Sequence, residues 1–372
     1  MSNLKVTIDV EEGTISVFND GRGIPIELHA REKIYIPELI FGHLLTSSNY
    51  DDDEKKLTGG RNGYGAKLAN IYSHEFTVET ADKNTSQKYK QTWTDNMSKV
   101  GKAKITKTTG NTEFTRITFR PDLERFGMDK IDDDTVALLK KRVYDMAGTV
   151  KDIKVFLNDE RLKVKGFKQY VELYLNSVAA EAAENAGGAA QVKPVIIYDQ
   201  INPRWEVAFA VSDGTPQQVS FANSISTIKG GTHVLLIQDQ FAKYLITHIT
   251  KKNKAATVKP AQIKNHMWVF VNALIENPTF DSQTKETLTL PASKFGGSKP
   301  VLGEDYLKRS ELSFLSISTL MSDCPGFLTA TKTGIVENVL SWAKYKADQQ
   351  IKKTDGTKRS RYVLNFQTVA SI

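Results

Sequence analysis

The stretch Thr58-Gly59-Gly60-Arg61-Asn62-Gly63-Tyr64-Gly65-Ala66-Lys67 constrains the fold more than any other, because its glycines run straight into the apolar, helix-patterned Leu68, Ala69, Ile71 and Tyr72. Glycine takes φ > 0 cheaply and lets an oxygen approach the main chain, so a backbone bent this way can turn successive N–H groups onto an anion. The helix start adds free N–H groups and the positive end of its dipole. A nucleotide triphosphate suits such a place, although a glycine turn before a helix is also an ordinary loop. Two common phosphate folds are excluded. Leu68 stands where a Walker A loop needs Ser or Thr for Mg2+. The charged run Asp51-Asp52-Asp53-Glu54-Lys55-Lys56 precedes the glycines where a dinucleotide fold needs a buried parallel strand.

Upstream, Val6, Ile8 and Val10 alternate with polar residues, Glu11-Glu12-Gly13 can turn, and Ile15 and Val17 alternate again, which predicts a hairpin. It delivers Asn19-Asp20-Gly21-Arg22-Gly23 to the end of a sheet. Next, Ile40-Phe41-Gly42-His43-Leu44-Leu45 reads as a helix or helix end that runs into Thr46, Ser47, Ser48 and Asn49. In this order and spacing the three segments resemble the ATP-binding half of eukaryotic type II DNA topoisomerases, which are GHKL ATPases. The match is specific over 44–50 and 58–67.

The resemblance implies an α+β fold, a GHKL-type (Bergerat) ATPase sandwich followed by a ribosomal-protein S5-like transducer domain, with ATP and Mg2+ as cofactors. It places Asn19 on the adenine amino group, where an amide oxygen accepts as a carboxylate would. It places Ser47, Ser48 and Asn49 on the nucleotide, together with Gly60, Arg61, Asn62, Gly63, Tyr64, Gly65, Ala66 and Lys67. From the residues alone, Asn19-Asp20-Gly21 is also simply a good turn, and the hydroxyl and amide cluster a helix cap. Residues 51–56 could close over a ligand as a lid.

From Glu75 on, short alternating runs at 76–80, 88–93, 103–107 and 114–119 predict an antiparallel meander. A helix follows with Val136, Leu139, Val143 and Met146 on one face and Gly148 as its stop. The Ala-, Glu- and Gly-rich run 178–191 reads as a loose helix end and linker. Strands at 195–198, 205–211 and 219–221, the turn Gly230-Gly231 and a long helix resemble the transducer. Its basic loop, Lys251, Lys252, Asn253 and Lys254, would touch double-stranded DNA by phosphate contacts without reading sequence; by itself it is a solvated surface loop. Gln283, Thr284 and Lys285 match the switch loop whose lysine reaches the γ-phosphate, a task suited to a compact charge on a long stem.

The expected domains are 1–185 for the ATPase, lacking its N-terminal helix, 186–302 for the transducer, and 303–372 for a linker toward the cleavage core. Segments 310–330 and 362–372 do not follow the family and read as unspliced intervening sequence or a lineage-specific insertion. The family's general-base Glu and Mg2+-binding Asn would sit on a helix before Asn19. Weak ATP binding and little or no hydrolysis are therefore expected of the chain as written. A non-hydrolysing module that binds nucleotide and DNA is the alternative to an ATP-driven topoisomerase, which would work as a nuclear homodimer.

A formal charge of +7 and a pI near 9.1 fit a nucleic-acid partner and equally a solvated basic surface. The single cysteine, Cys324, excludes an internal disulfide or a cysteine-rich zinc site. The scattered histidines lack metal-ligand spacing, so no metal-ligating residue is assigned. No apolar run is long enough for a bilayer, and the N-terminus shows no signal or transit pattern, so no membrane partner is expected.

Overall fold

The computed structural model describes residues 1–44, 46, 54–60, 63–185, 195–212, 215–252, 258–296 and 299–308. Cys324 and the segments 310–330 and 362–372 lie outside them.

The first sheet begins with the expected hairpin, β1 (Asn3–Asp9) and β2 (Thr14–Asn19). Its turn is closed at Gly13, whose φ of 62° favours glycine. Ile8 pairs with Ile15 and Val6 with Val17, so the apolar side chains of both strands share one face. Two short helices follow, α1 (Ile36–Gly42) and α2 (Tyr64–Ile71), then β3 (Ser73–Asp82), β4 (Gln87–Thr94), β5 (Lys99–Val100), β6 (Lys104–Lys107) and β7 (Phe114–Pro121). After α3 (Asp133–Thr149) the sheet closes with β8 (Lys154–Leu157) and β9 (Glu160–Arg161).

The order across the sheet is β5-β4-β3-β7-β2-β1-β8-β9, with β6 also on β4. The expected antiparallel strands are present, but they do not form a simple meander. β7 returns to lie between β3 and β2, where Ile117 and Phe119 pack onto the cluster of Phe41, Phe76, Val78 and Trp93. Burying that apolar face decides the order, because hairpin connectivity alone would leave it open on one side.

Gly148 does not stop α3, which continues through it to Thr149. A Cβ there would lie 2.5 Å from the Tyr170 ring, so glycine permits close approach of α4 (Phe167–Asn185). Tyr170 also donates to the buried Asp145 of α3 at 2.6 Å.

The second sheet runs β10-β11-β14-β12-β13, from β10 (Ile197–Asn202), β11 (Trp205–Val211), β12 (Gln217–Ala222), β13 (Ile225–Ser226) and β14 (Met267–Ala273). β12 and β14 are parallel, which requires a crossover. The helices α5 (Thr232–Lys252) and α6 (Pro260–Lys264) supply it. β14 is buried on both faces. Val269, Val271 and Ala273 join α5 in one core, while Trp268 and Phe270 join α3, α4 and β1 in another. Each fully buried apolar side chain of this size contributes about 1.5–3 kcal/mol, so α4 is held by both sheets through a continuous core.

Candidate nucleotide site

Three segments converge on the helix-covered face of the first sheet. Ile24, Ile40 of α1, and Ala66 and Ala69 of α2 all pack against the Phe41, Phe76, Val78 and Trp93 cluster. The buried Asn70 of α2 donates to the Phe41 carbonyl at 3.0 Å, which locks the two helices together.

The first turn of α2 has the features of an anion site. Gly63 is its N-cap at φ 65°, a left-handed conformation that suits glycine, and no side chain caps the helix. Acidic residues are absent from that turn. Its N–H groups and dipole therefore remain open to an anion. Among the described residues, beyond its chain neighbours and its own helix, nothing lies within 4 Å of a Cβ built on Gly60 or Gly65. Gly59 has a different reason to be glycine, since its Cβ would fall 1.9 Å from Ile225 Cδ1.

Lys67 points inward. It is only 1% exposed, and its Nζ donates to the carbonyls of Thr46 at 2.7 Å and Gly63 at 3.1 Å. Burial pushes its ammonium below the usual lysine range. Two of its three donors thus fasten the loop from both sides. Ser47, Ser48, Asn49, Arg61 and Asn62 lie outside the described residues.

At the end of β2, Asp20 is committed to the N-terminus, accepting from the backbone of Ser2 and Asn3 at 2.6 and 2.7 Å. Burial raises its carboxyl, but these bonds outweigh it and hold the group below its usual range. Asn19, beside it, is half-buried, and its side-chain amide lies 2.9 Å from where a Cβ on Gly21 would stand. Gly23 brings the turn onto β3, and Ile24 donates to the Thr80 hydroxyl at 2.9 Å.

The switch segment sits on the second sheet. Phe280 and Leu288 bridge its base, and Asp281 accepts from the Thr287 N–H at 3.2 Å. Gln283 and Thr284 are exposed, while Lys285 is half-buried at φ 58°, with its ammonium pushed down by burial.

Sequence reasoning missed the clamp that joins the two halves. Asn277 accepts from the Lys56 N–H at 3.1 Å and donates to the Glu54 carbonyl at 3.0 Å. Its own N–H donates to the Lys56 carbonyl at 2.9 Å. Beside it Glu276 meets Arg204 at 2.7 Å and Lys55 at 3.7 Å, and Arg204 holds its carboxyl below the usual range. The loop entering the glycine stretch is therefore bound to the chain that leads into the switch segment. The one available signal was the Asn277-Pro278 pair, a turn dipeptide.

Lys251 is exposed at the end of α5; the Lys252 side chain, Asn253 and Lys254 lie outside the described residues. Among the described residues no group of three or more His, Cys, Asp or Glu could hold a metal. No described helix is long and apolar enough to cross a membrane.

A family model described as DNA gyrase B matches residues 166–304, beginning just before α4. The chain is 49% identical over 369 residues to DNA topoisomerase 2 of Meyerozyma guilliermondii, covering 97% of this chain and 25% of that protein. It is 54% identical over 362 residues to DNA topoisomerase 2 of Penicillium chrysogenum, covering 97% of this chain and 21% of that protein. The chain thus spans a quarter or less of the length of these relatives. Among solved structures, the ATPase region of Saccharomyces cerevisiae topoisomerase II matches with a TM-score of 0.75 at 53% identity, covering 85% of this chain and 78% of that one. The ATPase and transducer domains of DNA topoisomerase II from Balamuthia mandrillaris match with a TM-score of 0.81 at 44% identity, covering 93% and 80%. The GHKL-type sandwich followed by an S5-like transducer, expected from the sequence, is the fold of this chain. The chain belongs to the DNA topoisomerase II family and corresponds to its ATPase and transducer region.

Proposed function

We propose that the chain is the ATP-operated gate of a type IIA topoisomerase, which passes one DNA duplex through a transient double-strand break in another and works as a nuclear homodimer. The observation that carries this reading is the Asn277 clamp, which ties the loop entering the glycine stretch to the chain that leads into the switch segment. In this reading residues 1–185 bind the nucleotide, 186–302 carry the signal, and 303–372 lead toward the cleavage core.

The open N–H groups at the start of α2, with Gly60, Gly63, Gly65 and Ala66 around them, receive the phosphates. Lys67 holds the loop in shape and has one donor left for an oxygen. Asn19 orients the adenine. Lys285 reaches over from the second unit, flanked by Gln283 and Thr284. When bound, ATP with its Mg2+ would supply the γ-phosphate that Lys285 contacts, and hydrolysis would release that contact and the relative angle it holds. Lys251, Lys252 and Lys254 then meet DNA phosphates.

The clamp gives a direct test. Asn277 has φ 44°, so Asn277→Gly removes the side chain without backbone strain. Two hydrogen bonds of about 1 kcal/mol each are lost. Titration with a non-hydrolysable ATP analogue is expected to show up to about thirtyfold weaker binding than in the parent. Unchanged affinity in a folded variant would remove the clamp from the site.

A further inference from the structure

The face of the first sheet opposite the helices carries one unbroken row of side chains in register across eight strands. Lys104 of β6 lies opposite Lys90 of β4, which lies opposite Glu79 of β3. Glu79 faces Arg116 of β7, and Arg116 faces Phe18 of β2. Phe18 is opposite Lys5 of β1, Lys5 opposite Phe156 of β8, and Phe156 opposite Arg161 of β9. All five cations are exposed. The only carboxylate in the row, Glu79, is occupied by Arg116 at 3.5 Å and by Lys88 at 3.3 Å, from one rung along β4. Lys5, Lys104 and Arg161 form no ion pair among the described residues, and Lys90 acts on Glu79 across the strand pair without closing to ion-pair distance.

We infer that this sheet face is a second contact surface for duplex DNA, separate from the 251–254 loop and addressed to the phosphate backbone. The chemistry of the row selects the partner. Single-strand binders offer bare aromatic rings for bases to stack on; here the rings are covered by cations. Lys5 Nζ lies 5.4 Å from the Phe156 ring centroid and the Arg116 guanidinium 5.2 Å from that of Phe18. An acidic peptide docking as a strand needs a free edge with unpaired backbone groups, whereas the row runs over the middle of the sheet and offers side chains alone. A duplex presents a rigid, dense line of charge to which spaced lysines and arginines bind by counterion release, without base contacts. Strand steps of about 4.8 Å carry the row over about 34 Å, close to one turn of B-DNA. The twist of the sheet turns the row's ends apart, so a straight duplex rests on its central part, around Lys90, Arg116 and Lys5.

The test is fluorescence anisotropy of a labelled 20-base-pair duplex with the full chain across a salt series. Lys5→Thr/Lys90→Thr/Lys104→Thr keeps strand propensity and removes three charges. Affinity is expected to fall at least about tenfold at low salt, and the slope of log K against log salt to flatten by about 1.8, for the two phosphate contacts of Lys5 and Lys90 in the central part. Lys251→Thr/Lys254→Thr should weaken binding independently, so failure of one surface is separable from failure of the other. Parent-like affinity and slope in the triple variant would overturn the proposal, as would tighter binding of a 20-nucleotide single strand or of polyglutamate. If the triple variant does not fold, lysine labelling of the parent read by mass spectrometry decides. Duplex must protect Lys5 and Lys90; equal labelling of both with and without duplex overturns the assignment.

Discussion

Gly65→Val is expected to abolish binding of a non-hydrolysable ATP analogue, by about 100-fold or more, while leaving the chain folded. Among the described residues, beyond its chain neighbours and its own helix, a Cβ on Gly65 meets nothing within 4 Å, and its φ is not among the positive values of the chain. Valine also costs less than glycine in a helix, by a few tenths of a kcal/mol. The backbone and the Cβ position therefore both accept a side chain at this site. What it does is fill the open volume over the first turn of α2, where an anion would approach the uncapped N–H groups. Displacing a phosphate from hydrogen bonds to a helix start removes several charge-assisted bonds of about 1.5–3 kcal/mol each, which accounts for the size of the loss. Calorimetric titration beside a thermal melt separates the two effects. An unchanged melt with unchanged affinity would mean that the phosphates do not lie on α2.

Gly23→Ala is expected to act through the opposite cause. The new methyl would fall 1.7 Å from the Ala81 carbonyl oxygen and 2.6 Å from its carbon. Both are backbone atoms of β3, so no side chain can swing away to make room. Either the turn lifts off the sheet or the end of β3 shifts, and the Ile24 to Thr80 bond is lost in either case. Overpacking against main chain of this severity costs about 3 kcal/mol or more. Denaturant unfolding should show a lower midpoint for the transition of the first unit. Because the turn carries Asn19, nucleotide affinity should fall with it. A variant as stable as the parent would show that the turn is not seated on β3 as described.

The contrast between these glycines marks what was legible in the sequence. Periodicity identified the β1–β2 hairpin and the strands β3, β4, β6 and β7, and apolar runs marked the strands β10, β11 and β12 of the second sheet, because each is a local consequence of which side chains are buried. It could not order β7 between β3 and β2, a choice made by the apolar face that Phe76 and Trp93 present to Phe41. Gly148 read as a helix stop, since a stop and a close helix contact have the same local signature. Only the Tyr170 ring opposite distinguishes them.

The candidate site divides in the same way. The glycine stretch and the Asn19 turn were visible because unusual backbone needs unusual residues. The inward path of Lys67 was not, since a lysine after glycines is written alike whether it reaches a ligand or the Thr46 and Gly63 carbonyls. Nor could the clamp be read from the sequence, because Lys56 and Asn277 are 221 residues apart and only the packed fold brings them together. The basic row is legible only after the register is known, because its members come from eight separate strands.

In the proposed gate, one nucleotide is held by α2 from the first unit and by Lys285 from the second. This arrangement is tested most directly by titrating the parent and Lys285→Ala with ADP and with a non-hydrolysable ATP analogue. The variant is expected to bind the analogue about tenfold more weakly, as for loss of a charged hydrogen bond of about 1.5 kcal/mol, and to bind ADP as the parent does. Equal losses for both nucleotides, or no loss for either, would contradict it, because Lys285 would then not be reading the γ-phosphate.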